Sequence, residues 1–125
     1  MLKREGSSSR RELTRLKLIF KMGYIIIKTT FESKKDAEDI AKKLIDSKLA
    51  ACIQLSETES YFRWENKTQQ AKEYKLEIKT SSENYKKIEE FILKNHKYKI
   101  PEIVAVKIEN GSKKYLDWVS SEVSK

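Results

Sequence analysis

Two side chains in this 125-residue chain have the chemistry for proton transfer, metal ligation or nucleophilic attack near neutral pH: the single histidine, His96, and the single cysteine, Cys52. An imidazole titrates near neutrality and is a common metal ligand. The thiol at Cys52 sits among Ala50, Ala51 and Ile53, a setting that suits a buried structural cysteine, and it would become a nucleophile only with a nearby base such as His96. One cysteine and one histidine cannot make the four-ligand set of a zinc site within one subunit. Glycine occurs only at positions 6, 23 and 111, so no glycine-rich loop can cradle a phosphate. No enzymatic constellation emerges, and the chain reads as non-catalytic.

His96 lies in the run Asn95-His96-Lys97-Tyr98-Lys99-Ile100-Pro101-Glu102, which also holds the only proline. Pro101 fixes its own φ and drives Ile100 towards an extended conformation, so a helix must end before it and a strand must follow. A histidine at such a helix end also interacts favourably with the last carbonyls and the helix dipole, a purely structural role.

The elements that would position this run follow from periodicity. Tyr24 to Phe31 is β-branched and aromatic, and reads as a buried strand. Ser33 and Asp36 open a helix to about Ser47, with Ala37, Ile40, Ala41, Leu44 and Ile45 at helical spacing. A strand from about Ala50 to Trp64 turns at Glu65-Asn66-Lys67 into a second strand, in which Tyr74, Leu76, Ile78 and Thr80 alternate with charged residues. Ser82 caps a second helix carrying Tyr85, Ile88, Phe91 and Ile92, Ile103 to Ile108 forms a fourth strand, and Asn110-Gly111-Ser112 opens a short helix with Tyr115, Trp118 and Val119 inward. The order βαββαβ followed by a helix predicts an α+β, ferredoxin-like sandwich with helices on one sheet face.

A strand from Ala50 to Trp64 would span about 50 Å, against roughly 20 Å for an ordinary strand, so the hairpin must overhang unless a bulge interrupts Ser56 to Ser60. Its end carries Tyr61, Phe62 and Trp64. Exposed aromatic residues on a projecting edge call for cover by another subunit, so the hairpin predicts an oligomer, with a cyclic arrangement closing the edges.

The net charge of +8 is uneven. Residues 1–22 hold seven basic and two acidic residues, a net charge of +5, which leaves +3 for the remaining 103. Four of the five arginines fall in that segment, and the body has only Arg63. The chain therefore divides into a basic extension, residues 1–22, disordered or weakly helical, and a folded domain, residues 23–125. Its Arg- and Ser-rich composition also suits an organelle transit peptide over residues 1–21, and less well a nucleic-acid-binding arm. The body lacks the aromatic motif of an RNA-recognition sheet, offering Lys75-Leu76-Glu77-Ile78 in its third strand. It also lacks an arginine-bearing anion loop after strand 1. Neither nucleic acid nor membrane is expected as a partner, since no apolar run reaches the ~20 residues of a span. A lone cysteine is consistent with a reducing, cytoplasmic compartment.

Taken together, Thr29-Thr30-Phe31, Lys48-Leu49-Ala50-Ala51-Cys52, Tyr61-Phe62-Arg63-Trp64-Glu65-Asn66-Lys67, His96 to Glu102, and Tyr115-Leu116-Asp117-Trp118 resemble CutA, the divalent-cation tolerance family. The resemblance covers residues 23 to about 121. It implies a homotrimer of ferredoxin-like subunits joined through extended hairpins, similar in architecture to nitrogen-regulatory signalling proteins, and an association with copper and other divalent metals. In some bacterial members the proposed ligands are a cysteine at the end of strand 1 and two adjacent histidines. Here those positions are Thr29, Asn95 and His96. Hydroxyl and amide oxygens are poor ligands for Cu(II), so His96 would need help from Glu102, Cys52 or a neighbouring subunit, and copper binding is expected to be weak or absent. The alternative is a signalling or adaptor module that binds a small ligand or partner protein in clefts between subunits, lined by Trp64, Tyr98, Pro101 and Glu102, with Lys28 as an anion partner.

Overall fold

The computed structural model describes residues 23–124. The readings for residues 1–22 as extension, transit peptide or nucleic-acid arm lie outside them. Four strands, β1 (Tyr24–Phe31), β2 (Cys52–Trp64), β3 (Lys67–Ser81) and β4 (Val104–Ile108), form one sheet in the order β2-β3-β1-β4, with every neighbouring pair antiparallel. Helices α1 (Lys34–Asp46) and α2 (Tyr85–Asn95) make the expected βαββαβ succession, and α3 (Lys113–Glu122) follows β4.

Alternation decides the core. Ile25, Ile27, Thr29 and Phe31 of β1 and Leu76 and Ile78 of β3 point to one face, where they meet Ala37, Ile40 and Leu44 of α1 and Ile88 and Ile92 of α2. Each fully buried aliphatic side chain contributes about 1.5–3 kcal/mol. Helix α1 begins as read, with the Ser33 hydroxyl accepting the Asp36 N–H at 3.2 Å. It ends at Ser47 in a Schellman motif: Leu49 N–H reaches Leu44 O and Lys48 N–H reaches Ile45 O, with Lys48 at φ 60°.

Three expectations need correction. Ser82 does not cap α2 but starts a 3-10 turn (Ser82–Asn84) ahead of it, because Asn84 is drawn inward. The buried Asn84 amide nitrogen lies within hydrogen-bond reach of Thr80 Oγ1, Ser81 Oγ and the carbonyls of Leu49 and Ser124, tying three segments together. Tyr115 and Trp118 are not inward: they are 37% and 42% exposed, and only Val119 of that face is buried. The reason is position, since α3 lies over the sheet face away from α1 and α2, where the Lys79 ammonium stands 5.6 Å from the Tyr115 ring. Finally, β3 is far longer than its apolar alternating part, since the run from Lys67 to Glu73 is polar and carries no large apolar side chain to mark its inward positions.

The hairpin runs without a bulge. Pairing is continuous from Cys52↔Lys79 to Trp64↔Lys67, and the two-residue turn Glu65-Asn66 has φ of 50° and 64°, the left-handed pair that matches strand twist. Pairing with β1 stops at Tyr74, so Lys67 to Glu73 have only β2 beside them and project about 23 Å past β1.

Candidate functional site

Where the projecting arm leaves the sheet, the end of β1, the end of α2 and the loop before β4 converge. His96 ends α2 in an extended conformation and stacks on Phe31, with ring centroids 4.3 Å apart and planes 13° from parallel. Its Nδ1 receives the Tyr98 backbone N–H at 3.1 Å, and its Nε2 lies 2.7 Å from the Thr30 carbonyl. A backbone N–H can only donate and a carbonyl can only accept, so Nδ1 holds the lone pair and Nε2 holds the proton. Burial lowers the imidazole pKa, against the opposing effects of the Thr30 carbonyl, Asp36 and Glu73. Both nitrogens are occupied in holding the loop onto β1.

This locked turn points Tyr98 at β3, where its hydroxyl donates to Glu73 Oε2 at 2.8 Å. Burial, then the bond to Glu73, then the charges of Glu73 and Glu32 push the phenol pKa far up, so Tyr98 remains a donor at physiological pH. Glu73 is only 7% exposed. Above this pair opens a cleft of about 930 Å³, within the range of small-molecule sites. The arm supplies Phe62 and Trp64 to its wall, the loop supplies Tyr98, Ile100 and Glu102, and Thr30, Glu32 and Glu73 also line it.

The residues singled out in the sequence separate into groups. Trp64, Tyr98 and Glu102 line the cleft. Pro101 is half-buried in the loop just before Glu102. Lys28 lies two residues along β1 from Thr30 of the cleft, opposite Glu77 and Val104, and is not among its lining residues. Cys52 pairs with Lys79, which pairs with Ile26, four residues or about 13 Å along β1 from Thr30. It lies on the sheet face opposite Phe31, so Cys52 and His96 do not meet. At the other two family ligand positions, Thr29 is fully buried with its hydroxyl unpartnered, and the Asn95 amide donates to Phe91 O at 2.8 Å. Among the described residues no three His, Cys, Asp or Glu side chains converge as a metal site. Sequence reasoning missed Glu73, Glu32, Phe62 and Ile100 as cleft residues. Glu73 carried a signal, since it shares the parity of Lys75, Glu77 and Lys79 on β3 and so had to face the same side as the hairpin aromatics Phe62 and Trp64.

Residues 25–122 match the family model described as CutA1 divalent ion tolerance protein. The chain is 39% identical over 94 residues to the divalent-cation tolerance protein CutA of Archaeoglobus fulgidus, covering 75% of this chain and 92% of that one. It is 34% identical over 98 residues to the chloroplastic protein CutA of Arabidopsis thaliana, covering 78% of this chain and 54% of that one. The solved structure of the periplasmic divalent cation tolerance protein CutA from Archaeoglobus fulgidus superposes with a TM-score of 0.79 at 38% identity, over 81% of this chain and 99% of that one.

Proposed function

Because the chain belongs to the CutA1 divalent ion tolerance family, we propose that it acts as a non-catalytic, homotrimeric binding module whose subunits join through the β2-β3 arm. The observation that carries this reading is the arm itself. Two strands run on for about 23 Å without a third, and their end leaves Tyr61 67%, Phe62 43% and Trp64 42% exposed. Such a surface is stable in water when a neighbouring copy covers it. The number three comes from the family resemblance. The cleft at the root of the arm shares Phe62 and Trp64 with that surface, so any small ligand or partner protein would bind in a cleft between subunits, as in a signalling module.

Copper or another divalent ion is a weak ligand in this reading. His96 would have to surrender the Tyr98 N–H or the Thr30 carbonyl to coordinate, and neither Thr29 nor Asn95 replaces a thiolate or imidazole. Cys52 lies on the opposite sheet face and about 13 Å along it, too far to assist. The compartment is proposed as cytoplasmic. Among the described residues no helix is long and apolar enough to cross a membrane.

Measuring the mass of the full chain in solution tests the proposal. A species of three subunits is expected, and Phe62→Glu should shift it towards smaller species. A wild-type monomer at micromolar concentration would remove the arm argument. Calorimetry with Cu(II) should give weak heats, and a sub-micromolar affinity abolished by His96→Ala would overturn the metal part.

A further inference from the structure

The projecting arm is held at its root by a chain of contacts that begins outside it. Pairing of β3 with β1 ends at Phe31↔Tyr74, and Glu73 is the first residue of the two-stranded ribbon beyond that rung. Of Lys67 to Glu73 it alone is buried, and its Oε2 accepts the Tyr98 hydroxyl at 2.8 Å. Tyr98 thus grips β3 one residue past the point where β1 lets go. Tyr98 is itself fixed by His96, whose Nδ1 accepts its backbone N–H at 3.1 Å and whose ring lies 4.8 Å from its own, centroid to centroid. His96 in turn is fixed to the last two residues of β1, donating from Nε2 to the Thr30 carbonyl at 2.7 Å and stacking on Phe31 at 4.3 Å. The end of β1, His96, Tyr98 and Glu73 form a brace from the sheet to the base of the arm.

We propose that this brace sets the direction in which the arm leaves the sheet, and that His96, which neither belongs to the arm nor lines the cleft, is a positioning residue for assembly of the subunits. The inference rests on the arm-mediated assembly proposed above and names the residues that govern it. Two-stranded ribbons twist more than wider sheets and are marginally stable alone, so the arm does not fix its own course. The lever is long. With the tip about 23 Å past β1, a rotation of about 10° at the root carries it about 4 Å sideways. Close-packed surfaces tolerate only a fraction of such a displacement. A root held in place before the subunits meet removes that search from the cost of association. A brace that merely closed the loop after α2 would end on that loop or on β1, whereas this one ends on the arm, at its one buried residue.

The test follows subunit exchange between unlabelled and isotope-labelled oligomers of the full chain by native mass spectrometry, in denaturant just sufficient for the wild type to exchange within hours. His96→Phe keeps a ring on Phe31 but removes both hydrogen bonds, and Tyr98→Phe keeps the ring but removes the hydroxyl. Each should speed exchange by about tenfold, as loss of a hydrogen bond to a charged group does. The double variant should be no faster than the faster single, because both break one chain; effects that multiply would make them separate contacts and overturn the brace. Hydrogen exchange supplies the second readout. Amides of Lys67 to Glu73 should lose protection while those of Leu76 and Ile78 keep it, and equal loosening of both regions would reduce His96 to loop closure. If His96→Phe does not fold, Tyr98→Phe carries both measurements. A wild-type oligomer whose exchange neither variant alters sinks the brace alone, whereas a monomeric wild-type chain sinks the assembly reading and the positioning role with it.

Discussion

Between Tyr74 and Lys79, β3 runs between β1 and β2 and keeps Leu76 and Ile78 wholly out of water; between Lys67 and Glu73 the same strand has only β2 beside it, and of those residues only Glu73 is buried. Backbone pairing is continuous through both regions, so hydrogen bonding does not distinguish them. The difference lies in what the side chains meet. At the root, α1 and α2 cover one face and the apolar area removed from water stabilises the fold. Along the arm no helix covers either face within the subunit, and the same ladder is held by cross-strand pairs worth only tenths of a kcal/mol each. A strand can therefore be part of a core at one end and an exposed surface at the other without any break between them.

The sharpest way to break this contrast is truncation on both sides of it. Ile78→Ala should cost about 2–5 kcal/mol in denaturant unfolding, as a large-to-small change in a closed core does. Arg63→Ala, at the exposed tip, should stay within about 0.5 kcal/mol. Similar losses at both positions would mean the arm is as tightly held as the root. A smaller effect is expected at Thr29, whose hydroxyl is sealed in the core beside Leu76 without a partner. Thr29→Val keeps the shape and removes the unsatisfied oxygen, so it should raise stability by about 1 kcal/mol; a loss on denaturant titration would show that the hydroxyl has a use.

The junction between the two regions depends on protonation. Burial lowers the folded-state pKa of His96 below its ordinary value of 6.5. Below that value the unfolded chain takes up the proton more readily than the folded one, so stability is fully present above pH 6.5 and falls as pH drops towards the depressed folded value. Asp36 and Glu73, which face the ring and favour its charged form, moderate the loss. This should be the smallest effect, read as the pH slope of thermal unfolding. His96→Gln should flatten the slope near its onset, and an unchanged slope would assign it to other groups.

Much of this was legible in the sequence, and the exceptions share a cause. The ends of β1 and α1 follow from local signals, a β-branched run and a serine cap, and they stand where those signals put them. The overhang followed from length alone. The place of Ser82 did not, because its role was decided by Asn84 reaching carbonyls 35 and 40 residues away in sequence. Tyr115 and Trp118 had helical spacing, but spacing does not say which face of a sheet a terminal helix will cover, or how completely. His96 drew attention as the only imidazole, and its actual bonds depend on a carbonyl 66 residues away. Glu73 went unnoticed because nothing local marks one acidic residue in a charged strand as buried. Its partner is Tyr98, 25 residues away in sequence and brought across by the His96 turn.

The unbroken register has a consequence for how such an arm can change over generations. Each residue inserted or deleted in one strand alone would flip every side chain beyond it to the other face. Removing one residue from each strand would preserve pairing but exchange the cleft-facing Phe62 and Trp64 with Tyr61 and Arg63 relative to the sheet. Only changes of two residues in both strands leave the face pattern intact. The arm's length is in effect quantised, in steps of roughly 7 Å, and lineages can lengthen or shorten it only by jumps, never by drift.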